Sequence, residues 1–161
     1  MEDNEELLTR LFRCLNAHDP NGMADCYAED ATFTDIAFTL RNKREIHAMW
    51  DMICSDNKER IKSDIAVTVT ELSAGDSKGR AVVIDDYTFR DTGRKVHNRI
   101  VSTFSFRDGK IIKQTDECDS VDWAHQAFGG IQGYVAGHVE FIRRSKAMGK
   151  LKAERPQAFP N

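Results

Sequence analysis

The chain is predicted to fold as a single α+β domain in which a cone-shaped, curved antiparallel sheet wraps around helices. Three observations carry this. Apolar residues recur at helical spacing through Ile53, the period switches from about 3.6 to 2 beyond Ile61, and four strand patterns then follow one another with short turns between them. Sequential strands joined this way make an antiparallel meander. Strands of this length in a flat sheet would leave apolar groups uncovered on both faces, so the sheet is expected to bend around the preceding helices.

Leu7, Leu8, Leu11, Phe12 and Leu15 define the apolar face of an amphipathic helix over Asn4 to Ala17. Asp19-Pro20, a cap followed by a first-turn proline, starts a short second helix reaching about Tyr27. Ala31 to Asp35 favours a strand. Asn42 with Glu45 resembles a capping box, opening a helix with Ile46, Met49, Trp50 and Ile53 on one side. Ile65, Val67, Val69 and Glu71 then alternate with polar neighbours up to Ala74-Gly75-Asp76, and a second strand spans Ala81 to Arg90. The third runs from Lys95 to Arg107, and Asp108-Gly109 turns the chain into a fourth, Lys110 to Cys118. Ser120 to His138 reads as one helix with Trp123, Phe128, Ile131 and Val135 as its apolar members. Gly129, Gly133 and Gly137 lie four apart, which predicts a close helix–helix or helix–sheet contact.

At 161 residues the chain needs no staples to bury a core, and 40% apolar with 30% charged content is ordinary for a globular protein. A net charge of −3 gives no reason to expect nucleic acid or a membrane as partner. No apolar run approaches the ~18 residues of a membrane span, and the acidic start lacks the apolar stretch of a signal peptide. Cys14, Cys26, Cys54 and Cys118 are widely spaced, so free thiols in a reducing compartment, the cytoplasm, are expected. Residues 1–140 are read as the domain, and 141–161 as a basic C-terminal tail, solvated or partly disordered, carrying Arg143, Arg144, Lys146, Lys150, Lys152 and Arg155.

Alternation separates the strand faces. On the last strand Ile112, Gln114, Asp116 and Cys118 share a face, and the opposite Lys113, Thr115 and Glu117 mark the solvent side. Asn98, Ile100, Ser102, Phe104 and Phe106 group on the third strand, and Val83, Asp85, Tyr87 and Phe89 on the second. The expected lining is therefore Val83, Asp85, Tyr87, Asn98, Ile100, Asp116 and Cys118, mostly apolar but with two carboxyl groups. A carboxylate there is costly to ionise, and two near one another titrate apart, which yields an acid and a base near neutral pH. The bland alternative is that each aspartate bonds backbone amides or Arg99 and only fixes the fold. His97 and Arg99 point outward by parity. His125 and His138 have no carboxylate at metal spacing, so no metal site is expected, and Cys118 has no histidine on its face to make it a nucleophile. Trp50 and Trp123 read as core or pocket wall.

The run Tyr27 to Phe33, the strand ends Asp108-Gly109-Lys110-Ile111 and Asp116-Glu117-Cys118-Asp119, and the later Trp123 and Gln126 to Gly130 resemble the SnoaL-like branch of the NTF2-like superfamily over about residues 4 to 137. This superfamily includes isomerases, cyclases, dehydratases, epoxide hydrolases and proteins without chemistry. Set against the limonene epoxide hydrolases of this fold, the resemblance puts Asp116 and Asp85 at two acid–base positions, Val83 where an arginine couples them, and Phe33 and Asp35 where a tyrosine and an asparagine hold water. The missing arginine argues against epoxide hydrolysis. Cyclases and steroid isomerases of the fold likewise rely on pocket aspartates. The resemblance thus implies a cofactor-free isomerase, cyclase or hydratase acting on a small hydrophobic carbonyl, polyketide-like or terpenoid compound. Asp116 and Asp85 would be its acid–base pair, with Asp35, Asn98 and Tyr87 orienting. The rivals are a non-catalytic ligand-binding or dimerisation module and an epoxide hydrolase. A homodimer through the outward positions Val101, Thr103 and Ser105 is expected.

Overall fold

Asp3 opens the first helix, α1 (Asn4–Asn16). Its carboxylate accepts the Glu6 amide at 2.8 Å, and the Glu6 carboxylate accepts the Asp3 amide, so two amides left unpaired at a helix start are satisfied. The inward face is the one the periodicity picked out, with Leu7, Leu8, Leu11, Phe12 and Leu15 all buried. The computed structural model from which this description is taken describes residues 2–55 and 63–160, so Ile61, where the change of period was expected, lies outside the described residues.

Asp19 caps α2 (Pro20–Ala24), which stops short of Tyr27 because Tyr27 already opens β1 (Tyr27–Thr34). A two-residue β2 (Thr39–Leu40) precedes α3 (Lys43–Cys54). Asn42 accepts the Glu45 amide at 2.9 Å, but the Glu45 carboxylate turns to the Arg41 amide and guanidinium, so only half of the expected capping box forms. Ile46, Met49 and Trp50 of this helix are buried as predicted.

The meander follows as β3 (Ala66–Ala74), β4 (Lys78–Phe89), β5 (Arg94–Arg107) and β6 (Lys110–Glu117). The six strands form one sheet in the order β2-β1-β6-β5-β4-β3. The wholly antiparallel expectation needs one correction: β1 pairs with β6 in parallel. That pairing is open to β1 because α3 and the meander supply the long connection a parallel pair requires.

Alternation holds along β5, where Val96, Asn98, Ser102, Phe104 and Phe106 are buried while His97, Arg99 and Thr103 are exposed. On β6 it slips once. Ser105 pairs with Lys113 but Phe106 with Ile111, so Ile112 is an extra residue in a bulge, and the fully buried isoleucine is Ile111 rather than the expected Ile112. Beyond the bulge, Gln114 and Asp116 face inward as predicted.

The helix expected over Ser120 to His138 is two, α4 (Ser120–Phe128) and α5 (Gly130–His138). Gly129 breaks it with φ 67° and ψ 167°, a conformation that a side chain resists. The chain doubles back there, and the glycine series does make a close contact. A methyl group on Gly133 would sit 2.9 Å from the Ala124 carbonyl oxygen, and one on Gly137 would sit 2.8 Å from Val121 Cα.

The stretch expected to be a solvated tail is packed instead. It forms α6 (Glu140–Glu154) and a 3₁₀ turn (Pro156–Ala158), with Leu151, Arg143, Arg155 and Ala158 buried. Arg155 Nε donates to Asp51 of α3 at 2.7 Å, and Arg44 of α3 donates to the Ala158 carbonyl at 3.0 Å. Arg155 is tied to α3, and Arg143 and Arg144 to carbonyls of the loop after β1, so these basic residues reflect docking rather than a free arm.

Gly137→Ala is expected to destabilise the domain by about 1–3 kcal/mol, because backbone on α4 must shift to admit the methyl group. Gly149→Ala, exposed on α6 with open space around it, is expected to stabilise by roughly 0.5–1 kcal/mol. Chemical denaturation of the two variants measures both; equal effects of one sign would refute the packing described for α4 and α5.

Candidate active site

The concave face of the sheet and the helices α1 and α3 to α6 enclose a cavity of about 610 Å³, within the range of small-molecule pockets. Val83, Asp85 and Tyr87 of β4, Asn98 and Ile100 of β5, and Asp116 and Cys118 at the end of β6 all border it. So do Phe33, Asp35, Trp50 and Trp123. Every side chain that sequence reasoning nominated is therefore brought to one void. The walls are largely apolar, with Leu11, Phe12, Met49 and Phe128 among them.

Asp85 and Asp116 are both half-buried, with their carboxyl groups bordering the void. Burial pushes the Asp85 carboxyl up to about 7, helped by the negative charges of Asp116, Asp86 and Asp35. Burial likewise raises Asp116 to about 7, opposed by Ser102 and Gln114. The two are not equivalent. Asp116 Oδ1 accepts a hydrogen bond from Gln114 Nε2 at 3.0 Å. Ser102, its direct cross-strand partner, is buried beside it and opposes the rise more than Gln114 does, although its hydroxyl as placed meets hydrogen-bond geometry with no group. Asp85, opposite Asn98 on β5, has neighbours of its own sign as its leading influences after burial, and no cation among them.

Each tryptophan donates its indole N–H to a tyrosine hydroxyl. Trp123 Nε1 donates to Tyr87 Oη at 2.7 Å, where Phe89 and Phe128 pack edge-on to the Trp123 ring. An indole can only donate, so Tyr87 accepts and its own proton stays available to the cavity. Burial, with Asp85 nearby, pushes the Tyr87 phenol up and keeps it protonated. Trp50 Nε1 donates to Tyr27 Oη at 3.3 Å, and Tyr27 in turn donates to Gln114 Oε1 at 2.5 Å.

Asp35 faces the cavity, but its Oδ1 accepts the amides of Ala37 at 2.7 Å and Phe38 at 2.6 Å. Burial raises it while those amides, Arg144 and Arg143 pull the other way. The same loop is held from α6. Arg143 Nε donates to the Ile36 carbonyl at 2.5 Å, and Arg144 donates to the carbonyls of Asp35 at 2.6 Å and Phe38 at 3.1 Å. Asp35 is thus the group that shapes this turn. Cys118 is a thiol raised by burial, with Asn98 beside it opposing, and no histidine borders the cavity among the described residues. His97 points outward to Asp86 at 2.6 Å, as parity required. Among the described residues no group of three or more His, Cys, Asp or Glu is placed to hold a metal ion, and no helix is long and apolar enough to cross a membrane.

Sequence reasoning passed over Gln114, Ser102, Tyr27 and Arg143. Gln114 and Ser102 already lay on the inward faces by alternation, and a buried amide two residues from an inward aspartate was the available signal. Tyr27 was absorbed into a helix end, and Arg143 into the tail.

The sequence profile of the SnoaL-like domain matches residues 8–114. No curated protein matches the chain. Among solved structures, an epoxide hydrolase of Mycobacterium tuberculosis similar to limonene epoxide hydrolase aligns with TM-score 0.60 and 15% identity, covering 86% of this chain and 93% of that one. A Catenulispora acidiphila protein of ketosteroid isomerase-like fold, solved with trimethylamine, aligns with TM-score 0.64 and 15% identity over 78% of this chain and 94% of that one. A Mycobacterium tuberculosis protein solved with estradiol-17β-hemisuccinate aligns with TM-score 0.55 and 20% identity over 68% of this chain and 88% of that one. At such identities the likeness is one of fold. The profile match covers well over half of the chain and makes it a member of the SnoaL-like domain family, and the curved sheet, its helices and these neighbours give it the NTF2-like fold.

Proposed function

We propose that the protein is an acid–base enzyme working through its own carboxyl groups on a small, largely apolar carbonyl compound, as an isomerase, cyclase or hydratase. The observation that carries this is the pair Asp85 and Asp116, both poised near neutrality beside one apolar cavity. A catalytic acid or base is most effective when its pKa lies near the working pH. Asp116, whose carboxylate receives the Gln114 amide, is the better base. Asp85, surrounded by negative neighbours, holds its proton and is the acid. In this reading Asp116 takes the proton next to the carbonyl, the Tyr87 hydroxyl hydrogen-bonds to the oxygen as charge develops there, and Asp85 gives a proton at the second site. Exchange with solvent after product release takes the proton from Asp116 and restores the one on Asp85. The neighbour solved with estradiol-17β-hemisuccinate supports a ligand that is mostly hydrocarbon. Val83, and the lack of a cation among the leading influences on both aspartates, favour carbonyl chemistry over epoxide opening.

The chain's two tryptophans both border the cavity, so intrinsic fluorescence reports occupancy. A panel of cyclic ketones, steroidal and terpenoid, is expected to yield ligands that change this fluorescence and at least one that is turned over, with a rate maximum near neutral pH. Asp116→Asn is expected to keep the fluorescence response and lose roughly 10²–10⁴-fold in turnover. Full turnover in that variant would remove Asp116 from the chemistry.

Holding Asp85 in the cavity also costs stability. Between its ordinary range near 4 and its folded value of about 7, the folded chain keeps a proton that the unfolded chain has shed, so stability falls as pH rises through that window. Asp85→Asn removes the penalty. The variant is expected to be more stable than the wild type by on the order of 2–3 kcal/mol at about pH 8, with the advantage gone near pH 4. A thermal-melt comparison at the two pH values decides it. A less stable variant at the higher pH would mean that Asp85 is ionised and favourably paired.

A further inference from the structure

Gln114 is only 2% exposed and is paired across the sheet with the buried Phe33, where an amide is an expensive choice unless its polar atoms are matched. Its two partners are Tyr27 at the start of β1, 87 residues away, and Asp116 two residues along its own strand, and Tyr27 is in turn bonded by Trp50 of α3. The chain of bonds has a direction. The Trp50 indole can only donate, so it takes up an acceptor site on Tyr27 Oη and leaves the Tyr27 hydrogen to be given to Gln114 Oε1. With Oε1 engaged, the other end of the amide must present Nε2, a donor, to Asp116 Oδ1. Rotating the amide by half a turn would set Oε1 against the Asp116 carboxylate and strand the Tyr27 hydrogen in a buried site, and an unpaired buried donor is penalised.

We infer that Gln114 is the positioning residue for Asp116: Tyr27 and Trp50 lock its amide so that a hydrogen-bond donor always faces the carboxyl oxygen. The inference rests on the acid–base reading of the site and names a part of that machinery which touches the base rather than the substrate. Its action is to hold the Asp116 carboxyl in one orientation at the cavity wall and to favour its ionised, proton-accepting form. Tyr27 is fully buried and its phenol is pushed well up by burial, so it stays a donor over the whole working pH range.

Two variants test this. Tyr27→Phe deletes one oxygen and frees the amide to rotate. Gln114→Met keeps the side-chain length and removes the donor. The first readout needs no substrate: the titration of the Asp116 carboxyl carbon by NMR in the ligand-free protein, assigned by its disappearance in Asp116→Asn. Both variants are expected to raise the Asp116 midpoint by roughly half a unit to one unit, with a smaller change at Asp85. On a substrate found by the fluorescence screen, kcat is expected to fall roughly 10-fold with KM changed less than about two-fold, and the acid limb of the rate profile should move to higher pH by the same amount as the midpoint. An unchanged Asp116 titration in folded variants that merely melt lower would make Gln114 a structural residue and overturn the inference. Shifted midpoints in a protein that turns over no carbonyl compound would uphold the positioning and overturn the proposed reaction instead.

Discussion

Two carboxyl groups are held largely away from bulk water, and most features of the molecule follow from how that is arranged. Asp85 and Asp116 are carried inward by the alternation of β4 and β6, onto a concave face whose other occupants are chiefly hydrocarbon. An ionised carboxylate in such surroundings loses hydration that the protein only partly replaces, so both groups stay protonated to about pH 7. The helices make this possible by closing the cavity: α1 and α3 fill one end with buried Leu, Phe and Met side chains, while α4 to α6 roof the other. The stability lost at the carboxyls is carried by a core elsewhere, including the stacked Phe104 and Phe106 and the edge-on Phe12.

What distinguishes the two carboxyls is hydrogen bonding. Trp50, Tyr27 and Gln114 deliver a donor to Asp116, whereas Asp85 receives only repulsion from its leading neighbours. The Trp123–Tyr87 pair repeats the motif of an indole orienting a phenol, and there the phenol proton is left for whatever enters. The third carboxyl, Asp35, is spent on the turn after β1, where Arg144 and Arg143 pin the same loop from α6. Under the proposed acid–base reading, Asp85 serves as acid and Asp116 as base while Asp35 holds a loop, a division set by their surroundings.

Much of this was legible before any coordinates, because the side-chain period of a strand is local. Asp85, Asp116, Tyr87 and Asn98 could be assigned to one face by counting in twos, and the cavity contains them. The amphipathic face of α1 and the glycine ridge of α5 were equally local signals. The helix break at Gly129 and the half-formed cap at Asn42 were local misses, and the others are long-range. The bulge at Ile112 arises from the pairing of β6 with β5, and the parallel partnership of β1 with β6 joins residues about eighty apart. The packing of α6 depends on Asp51 and on the turn at Ile36, neither of which can be seen from a basic segment read alone. The Tyr27–Gln114 bond spans 87 residues. Gln114 itself was on the predicted face, but its importance is visible only once the partners that orient it are in place.

The most direct measurement is a count of protonated carboxyl groups at neutral pH, made on the ligand-free protein in heavy water by infrared difference between wild type, Asp85→Asn and Asp116→Asn. The wild type should show a carboxylic-acid carbonyl band at pH 6 that weakens in each variant and fades as pH rises through about 7. Absence of that band already at pH 6, with both groups ionised, would mean that water or a cation reaches them, and the acid–base reading of the cavity would be lost while the fold stood.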